Sequence, residues 1–155
     1  MSSASVQTVD RGPRTVARSV VIDAPAEAVF ALVADPHHHH DIDGSGTVQP
    51  QISGPDRLSD GAKFSVHMKY GPLPYKITST TTAYVDDELI EWRHPFGHRW
   101  RWEFRAIDEA HTEVTEVWDY APSKAAKLFE VARFPAKNAA GIEATLVGLA
   151  ARFGN

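Results

Sequence analysis

The sequence predicts an α+β fold, in which one antiparallel sheet packs against a long C-terminal helix. From Thr47 onward, short turn-forming segments separate a series of strand candidates, at 47–53, 62–70, 74–85, 88–94, 98–107 and 112–120. Parallel strands need long crossover connections, so these short connections favour an antiparallel meander. Helical patterns occur only before and after this series, and the resulting order, β-α-α-β6-α, is that of an α+β protein rather than a doubly wound one.

The N-terminal part supplies the first strand and two helical segments. Residues 14–23 are rich in β-branched side chains and are expected to form the first of seven strands. Pro25 suits the start of a helix that ends by Ala34, and Asp35 with Pro36 begins a further short helical turn. The segment 1–13 lacks an apolar stretch, so we expect a flexible N-terminal tail followed by a single domain over residues 14–155.

Two helices are expected after the last strand. Ser123 is placed to cap a short amphipathic helix, whose inner side would carry Ala125, Leu128, Phe129 and Ala132. The final helix is expected over Pro135–Phe153, where spacings of three and four residues align Ile142, Leu146, Leu149 and Phe153. The rest of that stripe is small or polar, consisting of Asn138, Ala139, Thr145 and Ala150. Such a thin stripe predicts that the helix is one wall of a pocket.

Composition excludes several classes of function. The chain has 155 residues, a net charge of −4 and no cysteine. It therefore lacks the basic surface expected of a nucleic-acid-binding protein, and disulfide or thiol chemistry is impossible. No apolar run reaches the roughly 18 residues that a membrane-spanning helix needs. We expect a cytoplasmic protein that inserts into no membrane, and no motif in the sequence calls for a cofactor.

Strand alternation predicts an inward face that is predominantly aromatic. With the pocket-facing positions of the final helix, it gives these candidate ligand-binding residues: Phe64, Val66, Met68, Tyr70, Tyr75, Trp92, Trp100, Trp102, Phe104, Trp118, Asn138, Ile142, Thr145, Leu146 and Leu149. Each of them taken alone is explained as well by a packed core. Taken together, they place rigid aromatic rings opposite a helix of small residues, which favours a cavity.

Glu116 is the strongest candidate for chemistry. Alternation places its carboxyl group on the inward face between Val114 and Trp118, where an unpaired charge is costly. One interpretation is a structural ion pair with an arginine, or a break in the strand register. The other is a polar anchor or a general acid, with His94 and Tyr120 on the same face as candidate catalytic partners.

The run of four histidines from His37 to His40 has two interpretations. Ligand pairs on a helix favour spacings of three or four, which His37 shares with His40 and with Asp41, and Asp43 could add a third ligand. A solvated turn with acidic neighbours explains the run equally well, so no metal site is assigned.

Several segments of the chain resemble the START-like or Bet v 1-like (SRPBCC) superfamily, and within it the bacterial polyketide cyclase/dehydrase and lipid-transport group. The segments that carry this resemblance are residues 19–25, Val29-Phe30, Ala34-Asp35-Pro36, Gly61-Ala62-Lys63-Phe64, Leu89-Ile90-Glu91-Trp92, Thr112-Glu113-Val114-Thr115 and the closing helix. The resemblance implies a helix-grip fold, with a curved seven-stranded antiparallel sheet around the C-terminal helix and a hydrophobic cavity between them. It also implies a lipid, sterol, polyketide or other hydrophobic ligand.

Three functions follow from these observations. The first is binding of a small hydrophobic ligand in the cavity. The second is a polyketide cyclase or dehydratase activity, in which Glu116 moves protons with the help of His94 or Tyr120. The third is an interaction module that binds a protein partner through exposed loops, among them residues 37–46.

Overall fold

The computed structural model describes residues 5–44, 48–70 and 72–154. The strands are β1 (Gln7–Val9), β2 (Thr15–Ile22), β3 (Val48–Ser53), β4 (Lys63–Tyr70), β5 (Leu73–Val85), β6 (Leu89–Arg93), β7 (Arg99–Ala106) and β8 (Thr112–Asp119). The helices are α1 (Ala26–Ala34), α2 (His39–Ile42), α3 (Ala126–Val131) and α4 (Phe134–Arg152), and a 3₁₀ turn at Pro36–His38 precedes α2.

The predicted α+β architecture is confirmed. In the described residues one antiparallel sheet has the strand order β1-β2-β8-β7-β6-β5-β4-β3, and the long helix α4 packs on β2. Only the step from β2 to β8 joins strands that are distant in sequence. Every other pair is a local hairpin, as the short turn-forming segments predict.

The sheet has eight strands rather than the seven predicted. The additional strand, β1, lies in the segment for which the sequence suggests a tail, and it pairs with β2 from Gln7 opposite Ser19 to Val9 opposite Ala17. Three residues are too few to show an alternating pattern, so the sequence carries no signal for this strand. Just beyond it, Arg11 forms a two-pronged ion pair with Glu103 of β7.

The start of α3 differs in detail from the prediction. The helix is capped at Ala125, while the Ser123 hydroxyl accepts the Ala125 N–H (3.0 Å) and donates to the carbonyl of Phe96 (2.8 Å). Ala126 and Phe129 are the buried residues of this helix, and Leu128 is 66% exposed. The inner face of the helix is therefore formed by Ala126 and Phe129 and does not include Leu128.

Close packing fills one end of the space between the sheet and the helices. Val29, Phe30 and Val33 of α1 are fully buried, and so are Leu146 and Leu149 of α4. The Phe30 ring meets Phe104 of β7 edge-on at 5.2 Å and Tyr84 of β5 at 5.5 Å. This end of the molecule is therefore filled by α1 and by the second half of α4.

Gly44 brings the end of α2 against α4. A side-chain Cβ at this position would collide with the backbone of Ala144 and Thr145. The Gly44 N–H also donates to the Thr145 hydroxyl at 2.8 Å. Only glycine permits this close approach, which fixes Asp43 beside the middle of α4.

Candidate ligand cavity

A cavity of about 610 Å³ lies between the sheet and the first half of α4. Residues of α2, β4, β5, β6, β7, β8, α3 and α4 line it, and most of them are apolar or aromatic. The lining residues with the most exposed apolar side chains are Phe96 (63%) and Tyr75 (38%), so the cavity opens beside them. A space of this size and character is typical of a site for a small organic molecule.

Strand register brings the aromatic rings of the lining together. Across β6, β7 and β8, Trp92 lies opposite Trp100, and Trp100 lies opposite Trp118. The rings of Trp100 and Trp118 are 6.2 Å apart, and Phe64 of β4 meets Trp92 edge-on at 5.5 Å. Directly opposite residues share a face of the sheet, so these positions form one continuous aromatic wall.

Glu116 lies in a buried part of this wall. It is 7% exposed and faces Trp102 across the β7–β8 ladder. Burial raises its pKa well above the ordinary value, and the negative charge of Asp43, which also lines the cavity, raises it further. The carboxyl group is therefore neutral under conditions in which an exposed glutamate is ionised.

No group in the described residues forms a hydrogen bond with Glu116, and its Oε1 atom is fully enclosed. Arg18 lies opposite Glu116 in the β2–β8 ladder and is the arginine best placed for a structural ion pair. However, its guanidinium group donates to Glu143 of α4 (3.2 Å) and to the carbonyl of Ala17 (2.9 Å). The structural-pair interpretation therefore has no support in the described part of the chain.

His94 and His98 form a second polar group in the lining. Their rings are 4.5 Å apart across the tight turn between β6 and β7. Burial lowers the pKa of His94 to about 3, with a further contribution from His98, and burial lowers the pKa of His98 to about 4. Both rings are therefore neutral near pH 7, and among the described residues the enclosed Nδ1 atom of His98 has no hydrogen-bond partner.

Tyr120 does not join Glu116. Its hydroxyl donates to Glu130 at 3.0 Å and its ring stacks on Trp118 at 4.5 Å, so it lies behind the cavity wall and does not line it. Alternation alone indicated the inward side correctly, but Tyr120 follows the last residue of β8, where α3 covers the sheet. Of the three residues considered for catalysis, Glu116 and His94 face the cavity.

Most of the candidate ligand-binding residues line the cavity: Phe64, Val66, Met68, Tyr75, Trp92, Trp100, Trp102, Trp118, Asn138, Ile142 and Thr145. Phe104, Leu146 and Leu149 do not line the cavity and are buried in the core. They lie on the predicted faces, but at the end of the sheet where α1 fills the space. The side chain of Tyr70 lies outside the described part of the structure.

The wall supplied by α4 is rotated from the predicted one. Ala150 is fully buried in the core, and Ala139 lies in a separate groove beside β1 and β2. Because α4 rests on β2, the residues that face the sheet directly pack there, and the cavity lies along the flank of the helix. That flank consists of Phe134, Lys137, Asn138, Ala140, Gly141, Ile142 and Thr145.

His39 is a lining residue that the sequence analysis did not identify. Its Nε2 atom is 2.8 Å from the carbonyl oxygen of Val33, and its ring stacks on Trp92 at 4.9 Å. Burial lowers its pKa to about 4.

The sequence of the histidine run suggested pairs of metal ligands that include His37. In the structure, the His37 ring contacts the Asp35 carboxylate at 2.8 Å. Within the described ranges, no three metal-binding side chains lie close enough together to hold a metal ion.

Other lining residues were also missed, namely Ile42, Asp43, Gly44, Ile77, Ser79, Phe96, His98, Phe129, Phe134, Lys137, Ala140 and Gly141. His98 shares the alternation of Trp100 and Trp102, so the pattern contained a signal for it. Phe129 and Phe134 come from the α3–α4 corner, whose position depends on tertiary packing. No local pattern indicates that position.

Comparison with known proteins agrees with this architecture. Residues 13–154 match the family described as polyketide cyclase / dehydrase and lipid transport. The protein Rv0088 of Mycobacterium tuberculosis, itself described as uncharacterized, is 50% identical over 153 residues, which are 96% of this chain and 68% of the relative.

Solved structures are similar at lower identity. The Zhui aromatase/cyclase from a Streptomyces species superposes with a TM-score of 0.66 at 18% identity, over 90% of this chain and 94% of that chain. The Polyketide_cyc-like protein Cgl2372 from Corynebacterium glutamicum gives a TM-score of 0.66 at 20% identity, over 91% of each chain. At these identities the similarity establishes the fold. Among the described residues, no helix is both long and apolar enough to cross a membrane.

Proposed function

We propose a ligand-binding function for this chain, which belongs to the polyketide cyclase/dehydrase and lipid transport family. The chain binds a small hydrophobic molecule in the cavity between the sheet and α4. The observation that carries the proposal is the cavity of about 610 Å³, whose wall is built from the rings of Phe64, Trp92, Trp100 and Trp118. Protein interiors are normally close-packed, so an apolar space of this size is costly unless a ligand fills it.

The first test is direct binding. An uncharged fluorescent hydrophobic dye such as N-phenyl-1-naphthylamine is titrated into the protein, and native mass spectrometry is used to look for a retained small molecule. We expect saturable binding at one site, with quenching of tryptophan fluorescence because all four tryptophans of the chain line the cavity. Absence of any saturable binding would remove the proposal.

A pair of substitutions on α4 locates the site. Ala140 lines the cavity. Ala151 is an exposed alanine near the C-terminal end of the same helix and does not line the cavity. Ala140→Phe should reduce the affinity for the dye at least about tenfold because the new ring occupies the ligand space. Ala151→Phe is the matched control and should leave the affinity unchanged. Equal effects of the two substitutions would place binding elsewhere on the protein.

A second candidate function is catalysis of cyclisation or dehydration. The specific observation in its favour is Glu116, a neutral carboxyl group in the wall of an apolar cavity, with a proton to donate to a hydroxyl leaving group or a carbonyl oxygen. General acid catalysis of this kind typically contributes about 10²–10⁴-fold to the rate. His94 lines the same cavity, but its pKa of about 3 makes it a weak base.

The catalytic candidate is tested with a β-hydroxy ketone as substrate. Dehydration is followed by the ultraviolet absorbance of the conjugated product, with wild-type protein and with Glu116→Gln. A fall of about 10²-fold or more in turnover, with the protein still folded and still able to bind the dye, supports the role of Glu116. Unchanged turnover would leave ligand binding as the function and remove Glu116 from any mechanism.

A further inference from the structure

We infer, on the premise that the cavity binds a ligand, that this ligand is a hydrophobic molecule carrying a protonated amine, held by Glu116, Asp43 and the surrounding tryptophan rings. The proposed function requires only an apolar ligand and says nothing about its charge. The charged and polar groups of the lining specify that charge.

The ionisable groups of the lining are distributed unevenly. Glu116 and Asp43 are acidic, and the only lysine or arginine among the described lining residues is Lys137, which is exposed. The histidines of the lining add no positive charge near pH 7, because burial holds the pKa of His39 and His98 at about 4 and that of His94 at about 3. Among the described lining residues, the buried part of the cavity therefore contains one acidic group, Glu116, and no cation, and the half-buried Asp43 lies beside it.

Glu116 is the group that most clearly requires a partner. Only 7% of its surface is exposed, and no described residue forms a hydrogen bond with it. Its Oε1 atom is enclosed without a partner, and Glu116 is one of the lining residues of the cavity. A buried carboxyl group without a partner is unfavourable, and a ligand ammonium group supplies both the opposite charge and the hydrogen-bond donors.

The aromatic rings suit the same ligand. Trp102 lies directly opposite Glu116, and Trp100 and Trp118 form the next pair on the same face of the two strands. The faces of indole rings attract cations, most strongly where water is excluded. A neutral ligand would use the faces of these rings only as apolar surface, and an anion would be repelled by Asp43. Acidic groups and ring faces together therefore favour an ammonium group.

Binding of a cation has a measurable consequence for protons. Desolvation and the charge of Asp43 keep Glu116 protonated in the free protein, and an adjacent ammonium group would convert it to the carboxylate with release of a proton. The other ionisable groups that face the cavity are Asp43, Lys137 and the three histidines, and Arg18 across the ladder is paired with Glu143. Amine binding should therefore strengthen as pH rises. A neutral ligand that accepts a hydrogen bond from protonated Glu116 would show the opposite dependence.

The test compares three probes of nearly equal size: naphthylethylamine, naphthylethanol and naphthylacetic acid. Isothermal titration calorimetry at pH 6, in two buffers of different ionisation enthalpy, gives both the affinity and the number of protons exchanged. We expect the amine to bind about tenfold more tightly than the alcohol, the acid to bind most weakly, and the amine to release about one proton.

Substitutions assign the effect to the proposed groups. Glu116→Gln should abolish the proton release and reduce the preference for the amine to within about twofold, while the affinity for the alcohol is retained. Glu113→Gln, on the same strand but paired with Arg105 outside the cavity, is the matched control and should behave as wild type. Asp43→Asn should weaken the preference for the amine in a protein that still carries Glu116.

The outcomes separate this inference from the proposed function. If the alcohol or the acid binds as tightly as the amine, or if the amine binds without releasing a proton, the inference is wrong and ligand binding stands. If none of the three probes binds and the dye also fails to bind, the proposed function itself is wrong. Amine preference that persists unchanged in Glu116→Gln and Asp43→Asn also overturns the inference.

Discussion

The two halves of α4 face the same sheet but meet it in different ways. In the second half, Leu146, Leu149 and Ala150 are fully buried in the core. In the first half, Asn138 and Gly141 line a cavity, although they belong to the same continuous helix. The difference arises from what else covers the sheet, because α1 supplies Phe30 and its neighbours at one end, whereas the short helices α2 and α3 lie at the other.

This division separates stability from binding along a single helix. The second half of α4 buries large aliphatic side chains, which contribute most of the stabilisation that a helix gains from packing. The first half places small and polar residues beside aromatic rings of the sheet, and its surface is available to a ligand. We therefore expect substitutions in the two halves to affect different measurements.

The largest effect is expected from Leu149→Ala in the packed half. Leu149 is completely buried, so its truncation removes apolar contacts and leaves a cavity, at a cost of about 2–5 kcal/mol in the free energy of unfolding. Urea denaturation followed by circular dichroism measures this loss. The matched substitution Asn138→Ala in the cavity half should cost less than about 1 kcal/mol, and an equal loss at both positions would contradict the division.

A smaller effect is expected when an alanine is enlarged in each half. Ala150→Leu adds volume to a filled core and should destabilise the protein by about 1–3 kcal/mol. Ala140→Leu adds the same atoms on the cavity flank, where we expect a change within about 0.5 kcal/mol. Thermal unfolding of both variants by calorimetry gives the comparison, which fails if Ala140→Leu is the more destabilising of the two.

The architecture could be predicted from the sequence because its signals are local. Turn residues and alternation placed β2 to β8 within one or two residues of their observed bounds, and the spacing of Ile142, Leu146 and Leu149 identified α4. The family resemblance was also correct. β1 could not be predicted, since a three-residue strand owes its existence to the open edge of β2 and to the Arg11–Glu103 pair.

The lining of the cavity could be predicted only in part. Alternation assigns a residue to a face of the sheet, so it placed Trp92, Trp100 and Glu116 on the inward side. It does not show which end of that face a second helix will cover, and for this reason Phe104 and Leu149 were assigned to the cavity although they pack in the core. The contributions of His39 and Phe134 depend on how α2 and α4 dock, which no periodicity encodes.

The pH dependence of stability offers a third comparison, centred on Glu116 in the cavity half. Its pKa is raised in the folded protein, so the folded state binds the proton more tightly than the unfolded state, whose value is near 4.5. Stability is therefore lost as pH rises above that value, by up to about 1.4 kcal/mol per pH unit, until the folded carboxyl group ionises.

Glu116→Gln removes this dependence because the amide is always neutral. We expect the variant to be more stable than wild type at pH 7 and no more stable at pH 4. Urea midpoints at the two pH values test the expectation, with Glu113→Gln as the control on the outer side of β8. A variant that is less stable than wild type at pH 7 would show that Glu116 is ionised and stabilised in the fold.

The smallest effect is expected at His98, and it has the opposite sign. Burial against Trp118 and Phe129 lowers its pKa to about 4 from an ordinary value of 6.5, so the unfolded state takes up the proton first as pH falls. The contribution of His98 to stability is complete above pH 6.5 and is lost progressively down to about pH 4. In His98→Asn, the loss of stability between pH 6.5 and pH 5 should be smaller than in wild type by about 1 kcal/mol.

His111 is an exposed control, since Asp108 raises its pKa and His111→Asn should not reduce the acid sensitivity. If His98→Asn loses as much stability as wild type over this range, the ring is not held neutral by the cavity wall, and the cavity half of the molecule is more open to water than the packed arrangement of His98, Trp118 and Phe129 implies.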